Sequence, residues 1–218
     1  MTYEVPLSYN AIGAEEIAAA EAVLASGFLT QGSRVAEFER KFADLHGVRH
    51  AILVNSGSSA NLIAIEAVVY LSQLRPDLLN GPIRPGDEVV IQGLNWPSTI
   101  KPMTNHGLVP VFCDVDLDSL NASAEHIDAV RTERTRMVVA VPVLGNTSHL
   151  DELRDYCRAE GLLLLEDACE SLGARTAAGV RVGTLGIASA FSFYFSHHIT
   201  TIEGGMVLTD DSHLADVC

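Results

Sequence analysis

From residue 49 onward the chain alternates short apolar runs with helical stretches, and no other feature restricts the fold as strongly. Strand-like runs lie at 51–54, 88–92, 109–113, 137–143, 162–165, 188–194 and 206–209, and helical stretches at 59–74, 98–105, 124–130 and 149–160 separate most of them. Helices between short apolar strands imply βαβ units, because parallel neighbours need a crossover connection. The expected fold is an α/β domain: a mostly parallel seven-stranded sheet whose right-handed crossovers put helices on both faces. The last run follows a polar loop instead of a helix, which marks it as the candidate antiparallel strand.

Upstream, 15–25 reads as an alanine-rich helix with Ile17, Val23 and Leu24 as its apolar contacts, ended by Ser26-Gly27. A second helix, 33–46, spaces Val35, Phe38, Phe42 and Leu45 for one buried face and stops at Gly47. The chain thus divides into an N-terminal helical segment, 1–48, and a sheet core, 49–211. Pro76, Pro82 and Pro85 make 75–86 a loop. A final helix opens at Ser212 and the sequence stops at Cys218; so short a helix is marginal alone, which suggests a truncated domain.

Charge narrows the partners. With 14 basic against 28 acidic residues the net charge is −14, the reverse of a general nucleic-acid binder, so any anion must be held by local donors such as helix N-termini. Residues 1–10 carry no basic, apolar, cleavable signal and no apolar run approaches about 18 residues, so the expectation is a cytoplasmic protein with no membrane partner. The four cysteines show no C-x-x-C spacing and read as reduced thiols, with no metal site expected.

Four stretches carry candidate chemistry. Asn55-Ser-Gly-Ser-Ser59 joins a strand to a helix: Gly57 admits a close ligand and Ser58 and Ser59 add hydroxyls beside free helix N–H groups, a phosphate cradle or else an ordinary serine N-cap. Trp96, in N-W-P-S after the next strand, offers a flat surface for an aromatic ring or else packs at the edge of the core. Glu166, Asp167 and Glu170 follow the wholly apolar run 162–165, where an ionised Asp167 is costly unless it faces a cation or a protonated ring nitrogen. Last, 189–205 (S-A-F-S-F-Y-F-S-H-H-I-T-T-I-E-G-G) runs from a strand into a polar loop bearing His197 and His198. Adjacent side chains on extended backbone point to opposite faces and do not easily share one ligand, so two solvated histidines remain an alternative.

Taken together, the segments G-F-L-T-Q-G-S-R-V-A-E-F-E, V-N-S-G-S-S-A-N, G-L-N-W-P-S-T, V-F-C-D-V-D, L-L-E-D-A-C-E-S-L-G-A and F-S-F-Y-F-S-H-H-I-T-T-I-E-G-G resemble the large domain of fold-type I pyridoxal-phosphate enzymes, in the order of the DegT/DnrJ/EryC1/StrS aminotransferase family. The resemblance implies that Gly57, Ser58 and Ser192 hold the cofactor phosphate, that Trp96 stacks on the pyridine ring and that Asp167 pairs with the ring nitrogen. Glu170 stands where the family usually has a glutamine near the ring hydroxyl. It also implies a smaller C-terminal domain, absent from these residues, and a homodimer for the full-length form.

One departure sets the expected reaction. The family's lysine after S-F-Y-x-S is here His197, and imidazole cannot form the lysine's imine with the cofactor. The only lysines, Lys41 and Lys101, fall at no matching position. The same replacement characterises a branch of sugar 3-dehydratases, and the S-H-H and E-G-G loop is most similar to the GDP-4-keto-6-deoxymannose type. The resemblance then implies pyridoxal or pyridoxamine 5′-phosphate bound without a covalent tether, L-glutamate as amino donor, a nucleotide-linked keto-deoxysugar as substrate and His197 as the base. The alternatives are an aminotransferase with an unusual base, or a non-catalytic fragment that binds cofactor or sugar. His198 reads as structural.

Overall fold

The computed structural model describes residues 12–77 and 81–218. The reading of 1–10, and part of the proline-rich loop, lie outside the described residues. Two helices, α1 (Ala14–Ser26) and α2 (Ser33–His46), precede β1 (His50–Val54), α3 (Gly57–Leu74), β2 (Glu88–Gln92), α4 (Pro97–Asn105), β3 (Val109–Cys113), α5 (Ala124–Asp128) and β4 (Thr135–Ala140). Then come α6 (Leu150–Ala159), β5 (Leu163–Asp167), β6 (Ala188–Ser192), β7 (Gly205–Thr209) and α7 (Ser212–Val217). The strands form one sheet in the order β1-β7-β6-β5-β4-β2-β3. β7 runs antiparallel to both of its neighbours, β1 and β6, while the pairs from β6 to β3 are parallel. The strand that lacks a crossover helix is thus the reversed one.

Alternation along each strand sorts the side chains into two cores. On β5, Leu163 and Leu165 join Ala64, Val68, Met103 and Leu214 in the layer of α3, α4 and α7. Leu164 faces the other way, into the layer of α2, α5 and α6 with Phe42, Ile127 and Leu153. The same parity puts Ala188 and Ala190 of β6 under α3 and Phe191 under α2. Small residues lie where α3 crosses β6, and aromatic rings fill the wider space opposite, where Phe42 meets Phe191 and Phe193 edge-on at 5.2 and 5.4 Å.

Several boundaries differ from the sequence reading, each for a local reason. β6 ends at Ser192, two residues early: Phe193 N–H still meets the Gly204 carbonyl in register at 2.8 Å, but the Phe193 carbonyl accepts instead from Thr201 N–H at 3.0 Å and Tyr194 N–H turns to Ser192 Oγ at 3.3 Å. β4 stops at Ala140, and Leu144 in the following turn takes a left-handed φ of 52°. α3 begins at Gly57 because Ser56 caps it, its Oγ accepting from Ser59 N–H at 3.1 Å. In α2 the buried face runs through Phe38, Phe42 and His46, not Leu45, which is exposed. Burial pushes the His46 imidazole below its ordinary value while its Nδ1 lies 3.0 Å from the Phe42 carbonyl. α1 forms as expected but buries nothing: Ile17, Val23 and Leu24 are all exposed, not packed.

Candidate functional site

The C-terminal ends of β5 and β6 open beneath the first turns of α3 and α4, and the residues singled out in the sequence gather there. Gly57 is buried at the start of α3, and a Cβ on it would lie 2.5 Å from Ser192 Cβ, 2.9 Å from Ser192 Oγ and 3.0 Å from Cys169 Sγ. Only glycine permits this approach, which brings Ser192 of β6 against a helix N-terminus whose first N–H groups have no intrahelical acceptor. Ser58 donates from its exposed hydroxyl to Ser98 Oγ at 2.9 Å, tying the mouth of α3 to that of α4. The E-G-G motif serves the same junction, since a side chain on Gly205 would enter the Ser56 carbonyl.

Asp167 is the last residue of β5 and is buried on the α3 side. Its Oδ2 accepts from Asn61 Nδ2 at 2.9 Å and from Thr99 Oγ1 at 2.6 Å, while Oδ1 accepts from the Cys169 N–H at 3.3 Å and the Cys169 thiol lies beside the carboxylate. Neither Asn61 nor Thr99 was singled out from sequence. Asn61 did carry a signal, being an amide on a helix stripe otherwise made of Gly57, Ala60, Ala64 and Val68. Glu166 corrects the reading of a carboxylate cluster at the strand mouth. Parity turns it to the opposite face, where it is fully buried and accepts from the N–H groups of Gly183, Leu185 and Gly186 at 2.7, 2.7 and 2.9 Å. Burial pushes its carboxyl up and the three donors oppose that. It anchors the loop between β5 and β6.

His197 is half-buried in the loop between β6 and β7, its N–H donating to the Tyr194 carbonyl at 3.0 Å. Burial pushes its imidazole below the usual value; Glu170 pulls it back up, His198 pushes it down and Asp167 raises it. The field of both carboxylates therefore reaches His197, while His198 is exposed. Glu170 is exposed, with Oε2 accepting from Leu144 N–H at 3.4 Å. Trp96 precedes the first turn of α4 and is 71% exposed, so its ring is free to meet a ligand and is not a packing tryptophan. Burial, then Asp167, pushes the Cys169 thiol well up, so it stays protonated at neutral pH. Among the described residues no group of three or more His, Cys, Asp or Glu side chains is arranged to hold a metal ion, and no helix is long and apolar enough to cross a membrane.

Residues 10–218 match the model of the DegT/DnrJ/EryC1/StrS aminotransferase family. The chain belongs to that family. It is 35% identical over 209 residues to GDP-4-keto-6-deoxy-D-mannose 3-dehydratase of Yersinia pseudotuberculosis, covering 96% of this chain and 51% of the relative. It is 42% identical over 189 residues to dTDP-4-dehydro-2,6-dideoxy-D-glucose 3-dehydratase of Saccharopolyspora spinosa, covering 87% and 40%. A crystal structure of GDP-4-keto-6-deoxymannose-3-dehydratase with a trapped PLP-glutamate geminal diamine superposes with a TM-score of 0.88 at 33% identity, covering 97% of this chain and 53% of that one. The chain spans about half the length of the curated relatives it matches.

The donor set fits pyridoxal phosphate in three respects. A glycine-lined helix N-terminus meets a serine hydroxyl, a buried carboxylate keeps one oxygen nearly free, and an indole ring stands exposed at the mouth of α4. It does not supply an amine for a covalent link. Lys41 is paired with Glu37 at 2.7 Å on α2, and Lys101 is exposed on α4.

Proposed function

We propose that this chain is the cofactor-binding part of a pyridoxal-phosphate-dependent 3-dehydratase that deoxygenates a nucleotide-linked 4-keto-6-deoxyhexose, with His197 as its base. The observation that carries the reading is a half-buried imidazole, under the field of Asp167 and Glu170, in a site with no lysine. When bound, the cofactor supplies an electron sink for breaking bonds at the carbons next to the sugar's ketone.

The residues divide the remaining work. Gly57 and Ser58 N–H groups and the Ser192 hydroxyl hold the phosphate. Trp96 would stack on the ring, Asp167 would pair with the ring nitrogen through Oδ1, and Glu170 would face the ring hydroxyl. His197, neutral at pH 7 because burial lowers its imidazole, accepts a proton at its free ring nitrogen and returns it to the departing hydroxyl. A lysine at 197 would instead capture the cofactor and favour amination. L-glutamate is the amino donor in this proposal; the choice is prompted by a relative solved with a trapped PLP-glutamate geminal diamine.

Incubation with pyridoxal phosphate, glutamate and a GDP-linked 4-keto-6-deoxyhexose tests the reading. Release of ammonia with a 3-deoxy sugar supports it, and His197→Lys is expected to shift the product toward a 4-amino sugar. A 4-amino sugar with no deoxygenation from the unmodified protein would refute the dehydratase in favour of a transaminase with an unusual base.

A further inference from the structure

Asn61 and Thr99 come from different helices and donate to the same atom, Asp167 Oδ2, at 2.9 and 2.6 Å. Both are buried, with relative exposures of 1% and 0%. The other carboxylate oxygen accepts only a longer bond, the Cys169 N–H at 3.3 Å, with the Cys169 thiol, which burial keeps protonated, also beside the carboxylate. A buried carboxylate with equivalent surroundings at both oxygens could rotate between them; this one cannot without breaking its two better bonds.

Stability alone does not account for Asn61. Its Oδ1 is buried without a hydrogen-bond partner, a costly state for an amide, whereas an apolar residue of similar volume would suit the stripe of α3 and leave no orphan. Turning the amide over would set two oxygens against each other, so the donor must face Asp167. The cost is retained and the beneficiary is Asp167.

We infer that Asn61 and Thr99 are positioning residues: together they occupy Oδ2 of Asp167, fix the orientation of the carboxylate and present Oδ1 to the ring nitrogen of the cofactor. This rests on the proposed cofactor site and adds to it a means of proton control. Hydrogen bonds donated to a carboxylate favour its charged form. In the pair formed by Asp167 and the ring nitrogen they keep the shared proton on nitrogen, the state in which the ring draws electrons. Neither residue reaches the cofactor in this scheme; each acts through the carboxylate.

The test is the protonation state of the ring nitrogen, read by NMR of the chain loaded with pyridoxal phosphate labelled with nitrogen-15 in the ring. Thr99→Val and Asn61→Leu keep volume and remove the donors. The wild-type nitrogen should stay protonated across neutral and mildly alkaline pH. Each variant should bring its deprotonation into that range and weaken cofactor binding about tenfold or more. Thr99→Ser, which keeps the hydroxyl, should restore the wild-type signal, a rescue that a packing role would not give. Thr99→Val tests the inference alone should Asn61→Leu fail to fold. An unchanged nitrogen signal in folded, loaded Thr99→Val overturns the positioning role and leaves the cofactor site standing. Failure of the wild-type chain to bind pyridoxal phosphate overturns both.

Discussion

Gly57→Ala sets helix propensity against packing, and the distances decide which prevails. Gly57 has no left-handed φ and begins a helix, so alanine should by propensity stabilise it by up to about 1 kcal/mol. Its Cβ, however, would fall 2.5 Å from Ser192 Cβ, against about 3.5–4.0 Å for a comfortable carbon contact. The overlap of about 1 Å cannot be relieved by a flexible tip, because the struck atom is a Cβ fixed to β6, and overpacking of this kind costs about 1–3 kcal/mol. With the full propensity gain set against it, the upper end of that cost is a net loss of about 2 kcal/mol, a fall in melting temperature of up to about 8 °C for a domain of this size. Binding should suffer more than stability, since the strand moves away from the helix N-terminus it faces. Thermal unfolding and an absorbance titration with pyridoxal phosphate read the two effects separately. Ser192→Gly added to Gly57→Ala should recover much of the stability, with Cys169 Sγ still 3.0 Å away, and none of the affinity. A Gly57→Ala protein as stable as the parent and equally able to bind pyridoxal phosphate would refute the close-approach argument.

Three further outcomes are expected. Burial lowers the His197 imidazole, so a base at this position is neutral at pH 7 and kcat/KM should fall only below the ordinary histidine value of about 6.5. Glu170→Gln removes the main group pulling it up, so the acid limb should move to lower pH; an unmoved limb in the pH profile would show that another group titrates. Trp96 is the only tryptophan, and its exposed ring should lose fluorescence when pyridoxal phosphate binds, with unchanged emission arguing against stacking. Burial raises the Glu166 carboxyl, so its stabilisation is full below its unfolded value of about 4.3 and is lost as pH rises through the folded one. Urea unfolding of wild type and Glu166→Gln should therefore diverge in favour of glutamine from pH 4 toward 7, and a constant difference would contradict the direction.

What the sequence reveals depends on whether a residue breaks the pattern of its own element. The sheet was legible because apolar runs and helical spacing are local, and the reversal of β7 because a missing crossover helix can be seen without coordinates. α1 was legible as a helix but not as an exposed one, since propensity says nothing about what a helix meets. The division between Glu166 and Asp167 followed from parity, yet choosing which acid faces α3 required knowing which layer covers each face of β5. His197 was visible because it occupies a lysine's place in a matched motif, and Asn61 was detectable as an amide on an apolar stripe. Thr99 broke no pattern at all. It reaches Asp167 across 68 residues of chain, and a β-branched residue in the first turn of a short helix has nothing unusual about it until β5 and α4 are brought together. Residues that do chemistry directly tend to violate local rules and so can be read, whereas residues that act through others can satisfy every local rule and are found only by following the hydrogen bonds of the group they hold.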